Sequence, residues 1–324
     1  MLNENNQSLL QPSSNRIIDG ADLLFTLNYK SDPTLIPSIV ETLKRDEVAL
    51  IKNVSQDKAD DLMFSVSEQL GLSESLEIQS GFASIMGHRK NIGRYFMSVN
   101  ERSEYQFIYP HSEGSSYSNF QIASFYCFEN STDGGETILM KINQETDIWD
   151  LLREKVNRGR AERPLTQAET NQFRLQARIN MPEDTLSSDD EVLSKRVLIP
   201  GFTLFEVLAK PKKTYSYLLN KKLYAYWDSI ASLDKRAALE FYQLLTQHGL
   251  LKSPYDNCHL DFFDYAATSR LRDFGTNFNE LFSCQIIYKM QPGDLILQNN
   301  LSWVHSANNW SPDSGSRKIA AAFA

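Results

Sequence analysis

Residues 107–140 read FIYPHSEGSSYSNFQIASFYCFENSTDGGETILM. Three runs in this stretch are rich in aromatic and β-branched residues: Phe107-Ile108-Tyr109, Ile122 to Phe128 and Thr137 to Met140. Runs of that composition favour strands. Asp133-Gly134-Gly135 supplies a tight turn between the last two. Directly after the first run come His111, Ser112 and Glu113. An extended chain turns alternate side chains to one face, so His111 and Glu113 can hold one metal ion while Ser112 points away. The stretch thus predicts a mainly β core with a metal-ligating pair at a strand end.

The same grammar recurs on both sides of this stretch. Pro37 to Arg45 reads as a short helix leading into the strand Val48-Ala49-Leu50-Ile51. Ser55 stands as an N-cap for a helix with Leu62, Val66 and Leu70 at helical spacing, and Gly71 is placed to end it. Leu233 to His248 carries Ala237, Ala238, Phe241, Leu244 and Leu245 on one helical face, with Gly249 just beyond. Strands then resume at Leu281 to Met290, Leu295 to Leu297 and Lys318 to Phe323, with a turn at Pro292-Gly293-Asp294. The fold class predicted is α+β with a mainly β core and flanking helices. Residues 141–195 interrupt it with many charges, Gln and Ser, and Pro182 to Asp190 reads as an exposed loop. We expect one domain over 17–324 with a polar insertion at about 141–230, of which 155–195 reads as a substrate lid, a docking surface or equally an idle loop, and a flexible Asn/Gln/Ser-rich segment at 1–16.

Composition narrows the function. The 324 residues are 41% apolar, enough for a substantial core, and 33 Lys plus Arg against 41 Asp plus Glu give a net charge of −8. No basic run would attract a phosphate backbone or an anionic bilayer, so neither nucleic acid nor a membrane is an expected partner. The first residues lack the basic and apolar regions of a secretory signal, and the expected location is the cytoplasm. Cys127, Cys258 and Cys284 are too few and too scattered for a disulfide framework, which suits reduced, buried thiols.

Five histidines make ligand assignment a small problem: His88, His111, His248, His259 and His305. A lone histidine is more often a surface or hydrogen-bonded residue than a ligand; His248, at a helix end, fits that account through the dipole. His88 lies beside Arg89 and Lys90, which would oppose a cation. His259-Leu260-Asp261 repeats the spacing of His111-Ser112-Glu113 and also precedes His305, so spacing leaves two pairs open. Either one, completed by His305, would give the two-histidine, one-carboxylate face that leaves positions open on Fe(II).

Tyr109-Pro110-His111-Ser112-Glu113, Ile122 to Phe128 and Gly134-Gly135-Glu136-Thr137 together resemble the taurine-dioxygenase-like family of Fe(II)/2-oxoglutarate oxygenases. The end of the chain agrees: Pro292-Gly293-Asp294-Leu295-Ile296-Leu297, Asn300, His305 and Gly315-Ser316-Arg317 look like that family's turn, strand and C-terminal histidine and arginine. Glutamate as the carboxylate, with the Arg-Lys-Ile ending, looks closest to the clavaminate-synthase and syringomycin-type aspartyl-hydroxylase branches. The resemblance covers about 30 residues mid-chain and about 35 at the end.

It implies a double-stranded β-helix, or jelly roll, with His111, Glu113 and His305 on Fe(II) and with Thr137 and Arg317 on the distal carboxylate of 2-oxoglutarate. A guanidinium supplies the charge-assisted, bidentate partner that a buried carboxylate needs. The implied activity is O2-dependent hydroxylation, desaturation or cyclisation at an unactivated C–H of an amino acid or amino-acyl group, free or carrier-tethered, in secondary metabolism. Chlorination is disfavoured, because Glu113 fills the position that the family's halogenases leave open. Arg89, Lys90 and Arg94 are candidate contacts to an anionic substrate. Two positions depart from the pattern: Asn299 stands where aspartate is usual, and Ala321 where many members carry a second arginine. Ala321 supports a second reading, a jelly-roll protein that binds a metal or ligand without turnover; the intact set of five residues argues against it.

Overall fold

The computed structural model describes residues 17–19, 25–86, 89–99, 108–252 and 272–324. Strands β1 (Ile17–Asp19) and β2 (Thr26–Asn28) precede helix α1 (Leu35–Asp46), strand β3 (Val48–Lys52) and helices α2 (Gln56–Gln69) and α3 (Ser73–Met86). Next come β4 (Met97–Ser98), β5 (Ile108–His111), β6 (Ile122–Asn130) and β7 (Thr137–Ile142). The middle of the chain holds α4 (Ile148–Leu151), β8 (Glu154–Ala161), α5 (Gln167–Gln176), β9 (Glu191–Ile199), β10 (Phe202–Ala209), β11 (Thr214–Ser216), β12 (Lys221–Leu223), α6 (Asp228–Ala231) and α7 (Lys235–Gln247). After α8 (Phe278–Leu281) the chain closes with β13 (Phe282–Tyr288), β14 (Leu295–Asn299), β15 (Trp303–Ala307) and β16 (Arg317–Phe323). The helices expected before β3, after Ser55 and before Gly249 are present, as are the strands around residues 122–140. No helix among the described residues is long and apolar enough to cross a membrane.

Two sheets carry the architecture. One has the order β1-β13-β7-β15-β5 and the other β2-β3-β14-β6-β16-β4. The chain alternates between them: β5, β7, β13 and β15 lie in the first, and β6, β14 and β16, which follow β5, β13 and β15, in the second. Phe125 and Cys127 of β6 form one apolar cluster with Leu139 of β7, Ile286 of β13 and Trp303 of β15. The inner faces of the sheets therefore share a core. On the outer side of the second sheet, Ile51, Tyr126, Leu295 and Ala320 pack with Ile39 and Leu43 of α1 and Leu62 and Met63 of α2. On the outer side of the first, Ile138, Met140, Phe282 and Val304 pack with Trp149, Ile230 and Phe241. Each large side chain so buried contributes about 1.5–3 kcal/mol relative to exposure. Alternation along a strand fixes which residues look inward: Leu139 and Trp303 face the shared core, so Thr137 and His305, two residues away, do as well.

The polar segment after β7 holds more regular structure than its composition suggested. β8, β10 and β9 form an antiparallel sheet in that order, and Phe173, Ile179, Phe202 and Leu204 give it a small core of its own. Phe173 and Phe202 stack with ring centroids 3.9 Å apart. Thr166 and Glu169 form a reciprocal capping box at the start of α5. The charges that hid these strands lie on exposed faces or pair within the segment, as Arg158 does with Asp190 at 3.1 Å. Pro182 to Asp190 is a loop with no strand residues beyond one bridge at Thr185, as expected. Helix α3 and strand β15 were not anticipated. Residues 1–16 lie outside the described residues.

Candidate metal and cosubstrate site

His111 ends β5 and His305 sits at the centre of β15, and the register of these antiparallel strands sets the two directly opposite each other. Their rings lie 4.6 Å apart between centroids. Glu113 reaches them from the turn just beyond β5. Its Oε1 is 3.6 Å from His111 Nε2 and 3.5 Å from His305 Nε2. All three donor atoms fall within 4.8 Å of one another. The sequence reading left a competitor, His259 with Asp261; both lie outside the described residues, as does His88.

The neighbours of the cluster favour ligation. His111 Nδ1 lies 2.7 Å from the carbonyl oxygen of Tyr109. A proton donated there leaves the Nε2 lone pair aimed at the cluster, the arrangement a metal-binding imidazole needs. Asn300 fixes the turn that carries Glu113. Its Oδ1 accepts from the Glu113 N–H at 2.8 Å, and its Nδ2 donates to the carbonyls of Glu113 and Phe120, each at 2.9 Å. Ser112 donates its backbone N–H to Tyr226 at 2.7 Å, tying the same turn to the segment before α6. Phe125 packs on His305 with centroids 4.5 Å apart.

Burial and mutual charge set the protonation states. Burial would raise the Glu113 carboxyl, but hydrogen bonds to His111 and His305 and the nearby Arg89 hold it well below the ordinary carboxylate range. Burial drives His305 down to about 4, against the pull of Glu113. Burial acts the same way on His111, yet there Glu113 prevails and the pKa is raised. Glu113 is therefore ionised and His305 neutral at neutral pH. Two imidazole nitrogens and one carboxylate on one side, with cavity on the other, fit an octahedral Fe(II) with open positions.

The cavity beside the cluster has a volume of about 250 Å³ and is lined by Thr137, Arg317, Phe125, Arg89 and Asp228 as well as the three clustered residues. Arg317, at the start of β16, gives its Nε–H to Gly135 O at 3.0 Å and lies over the Trp310 ring at 5.8 Å. No carboxylate among the described residues pairs with it. Burial lowers its pKa to about 10, which still leaves it cationic. Gly135 makes this approach possible: its φ is +73°, and a Cβ there would stand 2.8 Å from Arg317 Cδ. Thr137, opposite Ala307 in the sheet, is buried in the same cavity wall.

The three basic candidates separate. Arg89 enters the cavity, with Nη2 3.5 Å from Glu113 Oε2 and its guanidinium 5.2 Å from the Phe323 ring centre. Arg94 instead pairs with Glu77 at 2.8 Å, and neither Arg94 nor Lys90 lines the cavity. Asn299 is buried, its Oδ1 accepting from the Leu301 N–H at 3.0 Å. Asp228 is the residue that sequence reading missed. It opens α6 and lines the cavity near His111, whose charged form it favours. Its only signal in the sequence was an acidic residue at a helix start, which ordinary helix electrostatics explains.

No protein-family model matches this chain, and no curated protein matches it. Several solved structures are similar to it. AAD-2 in complex with Mn(II) and N-oxalylglycine is 12% identical at a TM-score of 0.38, covering 95% of each chain. A variant of the non-heme iron oxygenase OrfP in complex with (3S)-hydroxy-L-Arg is 12% identical at 0.42, over 90% of this chain and 80% of that one. An asparagine oxygenase in complex with Fe(II), 2S,3S-3-hydroxyasparagine and succinate is 13% identical at 0.38, over 90% and 79%.

Proposed function

We propose that this protein is an Fe(II)/2-oxoglutarate-dependent oxygenase that oxidises an unactivated C–H of an amino acid or amino-acid-derived small molecule. The observation that carries the reading is the convergence of His111, Glu113 and His305 on one point, in a cavity whose other wall holds Arg317 without a carboxylate partner among the described residues. The alternation of β5 to β7 and β13 to β16 between two sheets with a shared core supports a double-stranded β-helix.

In this reading His111, Glu113 and His305 hold the iron, and Thr137 and Arg317 hold the distal carboxylate of 2-oxoglutarate. Bound together, iron and 2-oxoglutarate supply an O2-driven oxidising equivalent, with succinate and carbon dioxide as coproducts. Everything else falls to the chain. Arg317 and Thr137 orient the cosubstrate by charge and hydrogen bond, where low dielectric strengthens both. Phe125 and Ile319 line the apolar wall that keeps bulk water out. Arg89 and Asp228, of opposite sign in the same cavity, suit the carboxylate and ammonium groups of an amino-acid head.

Succinate formation tests the reading. With Fe(II), 2-oxoglutarate and O2, the purified protein should release succinate, accelerated by its substrate; Glu113→Ala should abolish this. Wild-type succinate release from Glu113→Ala would contradict the assignment. A binding protein without turnover would take up Fe(II) and 2-oxoglutarate yet release no succinate under any substrate mixture.

A further inference from the structure

A second cavity adjoins the first. It has a volume of about 1280 Å³, above the roughly 300–1,000 Å³ common for small-molecule sites. The two cavities share Arg89, Glu113 and Gly114, so the larger opens at the carboxylate of the cluster. Its walls come from α3, from the turn after Glu113 and from α5 of the inserted segment. Leu72, Phe120 and Phe323 line it together with Ile78 and Leu175. Ile78 is 64% exposed and Leu175 78%, although each sits on a helix with another face available for burial. On α5 that face is used by Phe173. Large apolar side chains left open on both walls of one cleft mark a binding surface more than a core.

The charges along the cleft are uneven. Arg174 on α5 and Arg178, two residues past its end, line it without a carboxylate partner among the described residues, while Glu74 lines the α3 wall. In a chain of net charge −8, Arg89, Arg174 and Arg178 against Glu74 and Glu113 leave the cleft with a small excess of positive charge. The Tyr117 hydroxyl donates to the Arg174 carbonyl, which ties α5 to the turn that carries Glu113.

Resting on the oxygenase reading, we infer that the substrate is an elongated amphiphilic acid. Its reactive head lies beside Glu113, its apolar section between Ile78 and Leu175, and its anionic end against Arg174 and Arg178. This extends the expectation of an amino-acid-sized substrate and gives the inserted segment a role as one wall of the substrate cleft.

The test is calorimetric titration of the whole metal-free protein with butyl, hexyl and octyl phosphate, with octanoate and with octanol. Phosphate affinity should rise about fourfold per methylene, the factor for about 0.8 kcal/mol per buried CH2. The double variant Arg174→Gln, Arg178→Gln should weaken octyl phosphate at least tenfold and leave octanol unchanged, and Leu175→Asp should flatten the dependence on chain length. All three side chains are exposed, so the fold survives. Octanoate as tight as octyl phosphate identifies a carboxylate end; a clear preference for octyl phosphate identifies a phosphate end. Affinity independent of chain length, or a double variant that binds octyl phosphate like wild type, overturns the inference. These titrations need no iron: failure here with intact succinate release sinks only the cleft assignment, and chain-length-dependent binding without succinate release sinks only the oxygenase reading.

Discussion

His305 on β15 stands directly across the strand register from His111 on β5, with their rings 4.6 Å apart. Backbone pairing of two strands far apart in sequence thus sets the distance between two imidazoles before any metal arrives. If they are ligands, replacing either with alanine should lower Fe(II) affinity by more than about 100-fold, beyond the 10–100-fold typical of a supporting residue. The fold should persist, because removing one imidazole leaves the β5–β15 backbone pairing and the shared core in place. Calorimetric metal titration, with circular dichroism as the fold control, checks both parts.

Asn300 should behave as a supporting residue. It is fully buried and spends its whole amide on the Glu113 N–H and on the carbonyls of Glu113 and Phe120. Asn300→Ala leaves buried backbone groups unpaired at about 1–3 kcal/mol each. We expect about 3 kcal/mol of lost stability by urea unfolding, and a 10–100-fold loss of metal affinity as the turn bearing Glu113 loosens.

Arg317→Met tests the cosubstrate wall. A buried carboxylate deprived of its guanidinium costs about 2–5 kcal/mol, so 2-oxoglutarate affinity should fall by at least about 30-fold. Fe(II) affinity in the absence of 2-oxoglutarate should stay at the wild-type value. Equal loss of both would place Arg317 in the scaffold instead.

Glu154 gives a pH dependence independent of the metal. Burial raises its carboxyl from 4.5 to about 7, opposed by hydrogen bonds from Ser229 and Ser116 and by Arg158. A raised folded-state pKa means the native protein binds a proton that the unfolded chain has released. The associated stability is complete below pH 4.5 and is lost as pH rises to about 7, to the extent of about 3 kcal/mol. Glu154→Gln should match wild type near pH 5 and exceed it in urea unfolding at pH 8. A pH-independent difference between the two proteins would refute this origin.

Much of this was legible in the sequence for identifiable reasons. Helices α1, α2 and α7 announced themselves through apolar residues at helical spacing; β6 and β7 did so through dense aromatic and β-branched runs. His111 and Glu113 were readable as a pair because a strand puts alternate residues on one face. Their meeting with His305 was readable only through the family resemblance, since β15 is a short strand, Trp303 to Ala307, whose register with β5 is a tertiary fact. The strands of the inserted sheet stayed hidden because β9 is exposed along most of its length and reads as loop. Asp228 and the cleft beneath α5 depend on how that segment folds back over the site, which no local pattern encodes.

The most direct measurement is an anaerobic titration of Fe(II) and 2-oxoglutarate, following the weak visible charge-transfer band of the chelate in wild type, His111→Ala and His259→Ala. The account predicts a band in wild type that survives in His259→Ala and vanishes in His111→Ala. A band lost only in His259→Ala, or no band in wild type, would contradict it.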